Sequence, residues 1–326
     1  MSFGDIYGHE KKIEILQKTL AQKRTGHAYL FSGIPAIGKK TLALEFIKAI
    51  NCEKVESLVD SCGECASCRK IQHESHPDVF FVQAEGQFIR IASIRQIQER
   101  TKCKPLEARR RAFIIDDADK MNEEAANSLL KMLEEPSLVN ILILVTSRPY
   151  FMPQTIISRC QHLRFNPLSS ETVVRFLVNE KNMDHSKAIL LAALSGGSIG
   201  NALELHKDDI FAYRTELFNL LAAANKKDPF SLINLASCLG RKKKDVRQGL
   251  NIMNAFFRDI LVFKEVRNNA VLINRDYCSF IAACAERLSC EQILQNMEQI
   301  EKAEYVIGQN VNKSLTLETM AFKLNY

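Results

Sequence analysis

Apolar residues recur along the first half of the chain in two alternating patterns, one helical and one extended. Residues 11–24 carry apolar side chains at helical spacing, and residues 27–33 then form a short apolar run that ends in glycine. A second helical stripe follows over residues 41–51. The pattern therefore predicts a helix, a strand and another helix, with a glycine-bearing loop between the strand and the second helix.

The same alternation continues further along the chain. Residues 79–82 and 112–116 are apolar runs typical of strands, and residues 94–101 have helical spacing. Asn122 can cap the next helix, whose first turn is acidic, and residues 140–146 form another continuous apolar strand. Strands that alternate with helices and are apolar throughout are typical of a parallel α/β sheet covered on both faces.

Beyond the last of these predicted strands the pattern changes to amphipathic helical segments. The first three segments are short and predict a small helical domain, whereas longer stretches rich in Leu and Phe predict a separate all-helical domain. Since 326 residues exceed the usual size of one compact domain, several domains are expected. The predicted boundaries are an α/β domain over residues 1–166, a small helical domain over 167–207 and a helical domain over 208–326.

Composition and charge are those of a folded protein outside the membrane. Hydrophobic residues at 46% and charged residues at 25% exclude disordered and collagen-like chains. The chain starts without a signal-like segment, and its longest apolar run, residues 141–145, is too short to cross a bilayer. We therefore expect a cytoplasmic protein. The net charge of +6 permits contact with nucleic acid, but basic clusters such as residues 109–111 and 241–244 also occur at solvated helix ends.

A candidate nucleotide-binding loop follows the first predicted strand. Residues 33–39, GIPAIGK, match the first seven positions of the G-x-x-x-x-G-K-[ST] motif, with Gly33, Gly38 and Lys39 at its defining positions. Backbone N–H groups at a helix N-terminus and the Lys39 ammonium can surround phosphate oxygens. The alternative is a glycine-rich turn that binds nothing.

The eighth position of the motif departs from the rule. Lys40 stands where a Ser or Thr hydroxyl holds Mg²⁺, and an ammonium offers no oxygen ligand to that cation. Thr41 follows one residue later, about 100° further round the helix, so it does not simply substitute. Phosphate binding is therefore compatible with the loop, whereas metal-assisted hydrolysis is not expected. ATP with Mg²⁺ is kept as an alternative ligand only.

An acidic pair closes the strand predicted over residues 112–116. Asp116 is placed to support a magnesium-bound water, as in a Walker B strand, and Asp117 stands where a catalytic Glu usually lies. Because Asp is one methylene shorter than Glu, its reach toward an attacking water is poorer. The alternative is that the pair only marks the start of a helix.

Four of the ten cysteines are clustered at metal-ligand spacing. Cys52, Cys62, Cys65 and Cys68 follow the pattern C-x₉-C-x₂-C-x₂-C, and four thiolates satisfy tetrahedral Zn²⁺. A site closed by four thiolates leaves no open catalytic position, so the spacing predicts a structural zinc insert over residues 52–68. Reduced core cysteines and a redox pair are the alternatives.

Several sequence blocks resemble bacterial clamp-loader AAA+ proteins. They are the strand at 27–33, the acidic box at 116–119, ANSLLKMLEEP at 126–136, SRC at 158–160 and, near the end, LTLETM at 315–320. The resemblance implies a RecA-like AAA+ domain with a zinc insert, then a small helical lid domain and an all-α collar domain that joins a ring-like assembly. It also implies that Thr146 and Ser147 occupy the sensor-1 region and that a nucleotide base would rest near residues 6–9.

This family has two branches, one of motor subunits that hydrolyse ATP and one that generally does not turn over ATP productively. Lys40 and Asp117 depart from the motor pattern, and Gly200 occupies the position where motor subunits carry the sensor-2 arginine. The resemblance therefore implies a non-motor subunit with a degenerate ATPase site. An ATP-hydrolysing motor that uses Lys39 and Asp116 is the alternative.

The SRC tripeptide implies a role in a neighbouring subunit. In this family its arginine, here Arg159, enters the neighbour's ATP site and stabilises charge on the transferring phosphoryl group. The implied partners are the motor (gamma/tau) and delta subunits, the sliding clamp and, through the complex, primed DNA. The implied function is to help load the clamp on primed DNA. A zinc-module nucleic-acid binder, with salt-sensitive affinity for DNA, is a further alternative.

Overall fold

The computed structural model of the chain describes residues 2–54, 59–84, 86, 88–240, 243–309 and 311–326. The described residues fall into two compact units, one within Met1–Lys181 and Gly196–Asn201 and the other within Asn182–Ser195 and Ala202–Tyr326. Arg241 and Lys242, from the basic cluster at residues 241–244, lie outside the described residues.

A parallel sheet of five described strands forms the centre of the first unit. The strands, in chain order, are β1 Ala28–Gly33, β2 Val79–Val82, β3 Arg111–Ile115, β4 Asn140–Thr146 and β5 Gln161–Phe165. They are arranged in the order β2-β3-β4-β1-β5, and each neighbouring pair is parallel. Every residue of β3 and β4 is buried, as expected for central strands covered on both faces.

Helices cover this sheet and border its loops. The helices of the first unit are α1 Glu10–Ala21, α2 Lys39–Asn51, α3 Ala66–Gln72, α4 Ile91–Thr101, α5 Glu123–Glu134, α6 Gln154–Ile157 and α7 Ser170–Lys181. Asn122 caps α5, because its side chain accepts a 3.0 Å hydrogen bond from the backbone N–H of Ala125. Ala126, Leu129 and Leu133 turn the buried face of α5 toward the core that α4, β3 and β4 share.

The second unit is helical throughout its described residues. Its helices are α8 His185–Leu194, the later part of α9 Ile199–Lys207, α10 Ile210–Ala223, α11 Pro229–Gly240, α12 Lys243–Val266, α13 Cys278–Arg287, α14 Cys290–Gly308 and α15 Lys313–Lys323. Among the residues that the structure describes, no single helix has the length and apolar character needed to span a membrane. One bent pair, α8 with α9, would pass on length and composition alone.

The α/β fold predicted from the sequence is confirmed, and so is the helical character of the C-terminal part. Strand β5 was not predicted, since the sequence pattern indicated no strand between the SRC tripeptide and residue 167. The division into three domains remains a prediction.

The carboxyl ends of the central strands meet along one edge of the sheet. Ser32 of β1 is in register with Thr146 of β4, and Ile115 of β3 is in register with Leu144. Ligands of open α/β sheets bind outside this edge, where the strand order reverses. The loop after β1 and the acidic residues after β3 are therefore brought to the place where a ligand site is expected.

A candidate nucleotide pocket and a candidate metal centre

The loop that joins β1 to α2 needs glycine at both of its motif positions. A Cβ atom on Gly33 would lie 2.5 Å from the carbonyl oxygen of Phe165 in β5. Gly38 has a φ angle of 101° and is the N-cap residue of α2. The two glycines thus let the loop pass close to β5 and then turn sharply into the helix.

Lys39 is folded back onto the loop that carries it. Its Nζ donates to the carbonyl oxygens of Gly33 at 2.6 Å and Ile34 at 2.7 Å, and the residue is only 6% exposed. Burial lowers the pKa of Lys39, while the nearby carboxylates, Asp116 first among them, act in the opposite direction. The ammonium that would reach phosphates therefore has two partners within its own loop.

The next two carbonyl groups of the loop bind the segment that leads into α9. The Ser198 hydroxyl donates to the Pro35 oxygen at 2.9 Å, and the Gly200 N–H donates to the Ala36 oxygen at 3.1 Å. A Cβ atom on Gly200 would lie 2.7 Å from the Cβ of Ala36. The predicted sensor-2 position therefore lies directly against the loop, with no room for a side chain.

A segment near the N-terminus, which includes Tyr7 and His9, also contacts the loop. His9 Nε2 lies 3.1 Å from the carbonyl oxygen of Ile37, and the His9 ring packs edge-on against Phe165 at 4.9 Å between centroids. Burial lowers the pKa of His9, which favours its neutral form. Tyr7 packs edge-on against Phe176 of α7. With these bonds, the five successive carbonyl groups from Gly33 to Ile37 each have a partner.

Lys40, the residue after Lys39, has its contacts outside the loop. Its Nζ lies 3.2 Å from Glu74 Oε1 and 5.4 Å from the centre of the Phe81 ring. The side chain is 34% exposed, so this ion pair is partly screened by water. The ammonium at the magnesium-hydroxyl position therefore engages a carboxylate and an aromatic ring.

The acidic pair after β3 is held by local contacts. The pKa of Asp116 is raised overall, chiefly by burial and then by the neighbouring Asp117 charge. The Lys40 and Lys39 ammonium groups act in the opposite direction. Asp117 has a φ angle of 51°, and its Oδ2 lies 2.7 Å from Lys120 Nζ. The Asp117 carboxylate, placed by sequence at the catalytic position, is thus paired with a lysine of its own turn.

Asp119 has a structural role that sequence reasoning did not identify. It is 1% exposed and accepts a 2.6 Å hydrogen bond from the hydroxyl of Thr146, the first predicted sensor-1 residue. Its other oxygen accepts from Arg148 Nε at 2.9 Å. The acidic box therefore binds the end of β4 and the residues after it.

A cavity of about 450 Å³ lies between these groups, within the usual range for small-molecule sites. Its lining includes the polar residues Lys39, Lys40 and Thr41 and the acidic pair. It also includes apolar residues, namely Ile6, Tyr7, Val145, Phe176 and Ile199. Ser147 also lines the cavity, whereas Thr146 is turned to Asp119. The cavity thus brings the glycine-bearing loop, the predicted phosphate-binding element, together with apolar residues.

Arg159 lies on the surface of the first unit, just after α6. Its Nη2 is 3.0 Å from Glu134 Oε1, and its Nη1 donates to the carbonyl oxygen of Thr155 at 3.0 Å. The side chain is 38% exposed. In contrast, burial raises the pKa of the adjacent Cys160 thiol to about 12. The guanidinium is therefore available at the surface, whereas the adjacent thiol stays protonated at neutral pH.

The four clustered cysteines converge on one point. The sulfur atoms of Cys52, Cys62, Cys65 and Cys68 all lie within 4.8 Å of one another, and those of Cys62 and Cys68 are 3.9 Å apart. Zinc–sulfur bonds of ~2.3 Å in a tetrahedron place sulfur atoms ~3.8 Å apart, so the set fits one zinc ion. Cys65 also caps α3, because its Sγ accepts from the Cys68 N–H at 3.4 Å.

The surroundings of the cluster shift the pKa values of Cys62 and Cys68 in opposite directions. Burial raises the pKa of Cys62, but hydrogen bonds from the backbone of Glu64 and Cys65 outweigh it and bring the value to about 6. Burial raises the pKa of Cys68. A bound cation would favour the thiolate form of all four ligands, since metal binding displaces thiol protons.

Two family models match the chain. A model described as DNA polymerase III, delta subunit, matches residues 8–169, and one described as DNA polymerase III, delta subunit, C terminal, matches residues 208–325.

Curated relatives of the chain include two proteins of Bacillus subtilis. DNA polymerase III subunit delta' is 30% identical over 316 residues, which cover 96% of this chain and 94% of the relative. DNA polymerase III subunit tau is 31% identical over 284 residues, or 80% of this chain, and this chain spans 50% of its length. Among solved structures, a DNA polymerase III gamma subunit-related protein of Thermotoga maritima is 16% identical, with 95% and 97% of the two chains covered and a TM-score of 0.42.

Proposed function

Because the chain belongs to the DNA polymerase III delta subunit family, we propose that it acts as the delta-prime subunit of the clamp loader. In this role it helps to load the sliding clamp on primed DNA during replication. Its partners are the motor (gamma/tau) subunits, the delta subunit, the clamp and, through the complex, DNA. We retain the cytoplasmic location and the three-domain division, with residues 1–166 as AAA+ domain, 167–207 as lid and 208–326 as collar.

The chain's own nucleotide site is proposed not to hydrolyse ATP. The observation that carries this proposal is the bonding of Lys39 to the Gly33 and Ile34 oxygens, because the ammonium that should contact phosphates is already engaged. Lys40 adds support, since it offers no oxygen ligand for Mg²⁺ and pairs with Glu74. Asp116 and Asp117 then form a degenerate Walker B site.

Arg159 is proposed to complete the ATP site of a neighbouring motor subunit. Its pair with Glu134 is half exposed, and surface pairs of this kind are worth only about 0–1 kcal/mol. The guanidinium can therefore exchange Glu134 for a phosphoryl oxygen at little cost. An arginine supplied in trans raises phosphoryl-transfer rates by roughly 10³ or more.

The four cysteines are proposed to hold a structural Zn²⁺ ion. Their sulfur atoms provide a complete tetrahedral set, so no position is left for a substrate. When bound, the ion would stabilise the connection between α2 and α3. The cysteine side chains themselves fix the turn before α3, since Cys65 caps that helix.

Reconstitution with the motor and delta subunits tests the proposal. Replacing Arg159→Ala should slow clamp-dependent ATP turnover by the assembled complex by roughly 10³ per affected site, with assembly unchanged. Arg175→Ala provides a matched control, since Arg175 is an exposed arginine on α7 of the same unit. Normal turnover with the Arg159 variant would exclude the trans role.

A motor subunit remains the second candidate, because Lys39 and Asp116 line one cavity together. Magnesium-dependent ATP turnover by the purified chain at ordinary ATPase rates, abolished by Lys39→Ala, would favour it. Absence of turnover by the isolated chain, together with stimulation of the complex through Arg159, supports the delta-prime role.

A further inference from the structure

Two adjacent aromatic side chains are exposed on the first unit, eight and nine residues before Arg159 along the chain. Tyr150 is 94% exposed and Phe151 is 73% exposed, and both belong to the short 3-10 turn Pro149–Phe151 that follows β4. Tyr150 is the most exposed large hydrophobic side chain in the described part of the molecule. Single exposed apolar residues are common, but a neighbouring aromatic pair is typical of a contact surface.

The turn that carries the pair is firmly attached to the sheet. Arg148, just before it, has its Nη2 2.8 Å from Asp119 Oδ2, and the Arg148 N–H donates to the Thr146 hydroxyl at 3.0 Å. The guanidinium also lies 5.3 Å from the centre of the Phe151 ring. The aromatic pair is therefore held on a fixed base, and ordering it on binding would cost little entropy.

The same short stretch of chain ends at Arg159. After the turn, Met152 is 4% exposed and Ile156 is fully buried in the core beneath, so this stretch is anchored to the core at two points. We call residues 148–159 the projecting segment. It carries two aromatic rings near its start and a guanidinium at its end, and Met152 and Ile156 between them are buried.

A guanidinium that acts on a neighbour's phosphate must be positioned to within a fraction of an ångström. The guanidinium of Arg159 is matched to charge that develops during phosphoryl transfer, so its contribution falls mainly on turnover and less on docking. Most of the energy of an interface comes from a few anchors, in which aromatic residues are frequent. Tyr150 and Phe151 are the side chains of the projecting segment that can supply this energy.

We propose that Tyr150 and Phe151 are the apolar anchors that dock this chain on the neighbouring ATP-hydrolysing subunit, at the rim of that subunit's nucleotide site. The inference rests on the proposed function of Arg159, because the shared segment assigns both contacts to one partner. That partner should offer an apolar recess beside its phosphate-binding groups. Arg148 stacks on one of the rings and orients it.

The test uses the full chain and the purified motor subunit of the same clamp loader. The double variant Tyr150→Ser, Phe151→Ser should bind the motor subunit at least about tenfold more weakly, as loss of a central anchor does. Complex formed at saturating concentration should still hydrolyse ATP, because Arg159 is intact. Arg159→Ala should give the opposite result, with near-normal affinity and slow turnover.

Leu138→Ser is the matched control, because Leu138 is 90% exposed on the same unit but lies outside the projecting segment. Its affinity should equal that of the wild type. An unchanged urea midpoint should show that the double variant is folded, and Tyr150→Phe should retain affinity.

Equal affinity of the double variant and the wild type would refute the anchor role. So would normal motor binding combined with a loss of affinity for the sliding clamp, because the aromatic pair would then face the clamp. If the wild-type chain itself fails to bind the motor subunit, the proposed function fails, which is a different outcome.

Discussion

Arg111 and Asp78 form a buried ion pair where β2 and β3 begin, with 2.9 Å between Nη2 and Oδ1 and with both side chains at most 5% exposed. Arg111 also donates to backbone carbonyl groups, including that of Cys103 at 2.8 Å. The basic cluster at residues 109–111 is therefore not a uniform solvated patch. Its last arginine fixes the loop that leads into β3.

The Asp78 carboxylate should be one of the main polar contributions to stability. Asp78→Asn would leave the Arg111 charge buried without its counter-ion, at a cost of about 3–5 kcal/mol in the free energy of unfolding. Urea denaturation measures this change. Glu107→Gln is the control, because the Glu107 pair with Lys70 is exposed and worth about 0–1 kcal/mol. Equal midpoints for the two variants would contradict the assignment.

The same carboxylate predicts a pH dependence. Burial raises the pKa of Asp78, but hydrogen bonds from the backbone of residues 106–108 and from Arg111 outweigh it and hold the value at about 2. Because the folded value lies below the unfolded value of ~3.9, the contribution is complete above about pH 4 and is lost as the pH falls toward 2. Acid unfolding of Asp78→Asn should lack this component. A parallel pH profile for variant and wild type would refute it.

Removal of metal should affect more than the cysteine cluster. Asp60 Oδ1, beside the cluster, accepts the Phe3 N–H at 3.0 Å, and this bond ties down the N-terminal segment. Cys65→Ser should abolish stoichiometric zinc, lower the melting temperature and increase amide exchange at Phe3. Metal analysis and hydrogen-exchange mass spectrometry measure these effects. Cys103→Ser should change none of them, because Cys103 is exposed and outside the cluster. Full zinc retention without Cys65 would disprove its ligand role.

Close packing at Gly200 should make it intolerant of even one methyl group. A Cβ atom there would lie 2.8 Å from the Ala36 carbonyl oxygen, so Gly200→Ala should cost about 1–3 kcal/mol of stability. Gly308→Ala is the matched control, since no atom lies within 4 Å of its Cβ position, and it should be neutral or stabilising by about 0.4–1 kcal/mol. Thermal unfolding compares the pair. Equal stability would mean that the loop and residue 200 are not in contact.

Asp119 should maintain the geometry of the projecting segment. An Asn at this position loses the negative charge that faces Arg148 and keeps only one acceptor oxygen, so Asp119→Asn should cost about 1.5–3 kcal/mol. It should also weaken motor binding, because Tyr150 would lose its fixed base. Lys120→Gln, which removes a half-exposed pair with Asp117, should do neither. If the Asp119 variant is destabilised but binds the motor subunit as tightly as the wild type, Asp119 contributes to stability and not to docking.

The sequence predicted the parts of the fold that have strong local signals. Strands β2 and β4 have the predicted bounds, since each is a continuous apolar run. β5 was missed because only Leu163 and Phe165 of its five residues are buried, as is typical of an edge strand. Helix α3 was also missed, since it is short and its cap is a cysteine.

The candidate site was predictable only as far as its motifs are contiguous. The glycines, Lys39 and the cysteine spacing were visible in the sequence, but three of the five bonds to the loop carbonyl groups come from distant residues. Ser198, for example, is 163 positions from Pro35. Asp119 likewise acts on Arg148, 29 residues away. Such contacts follow from the fold and leave no periodic trace in the chain.

The bonded loop sets a threshold for any nucleotide that enters the pocket. A phosphate that recruits Lys39 must first detach it from two backbone oxygens, and each acceptor left without a donor costs about 1–3 kcal/mol. Since 1.4 kcal/mol is a factor of ten, the apparent dissociation constant rises by roughly thirty- to twenty-thousandfold over that of an open loop. Nucleotide carried through purification should therefore wash out on dilution.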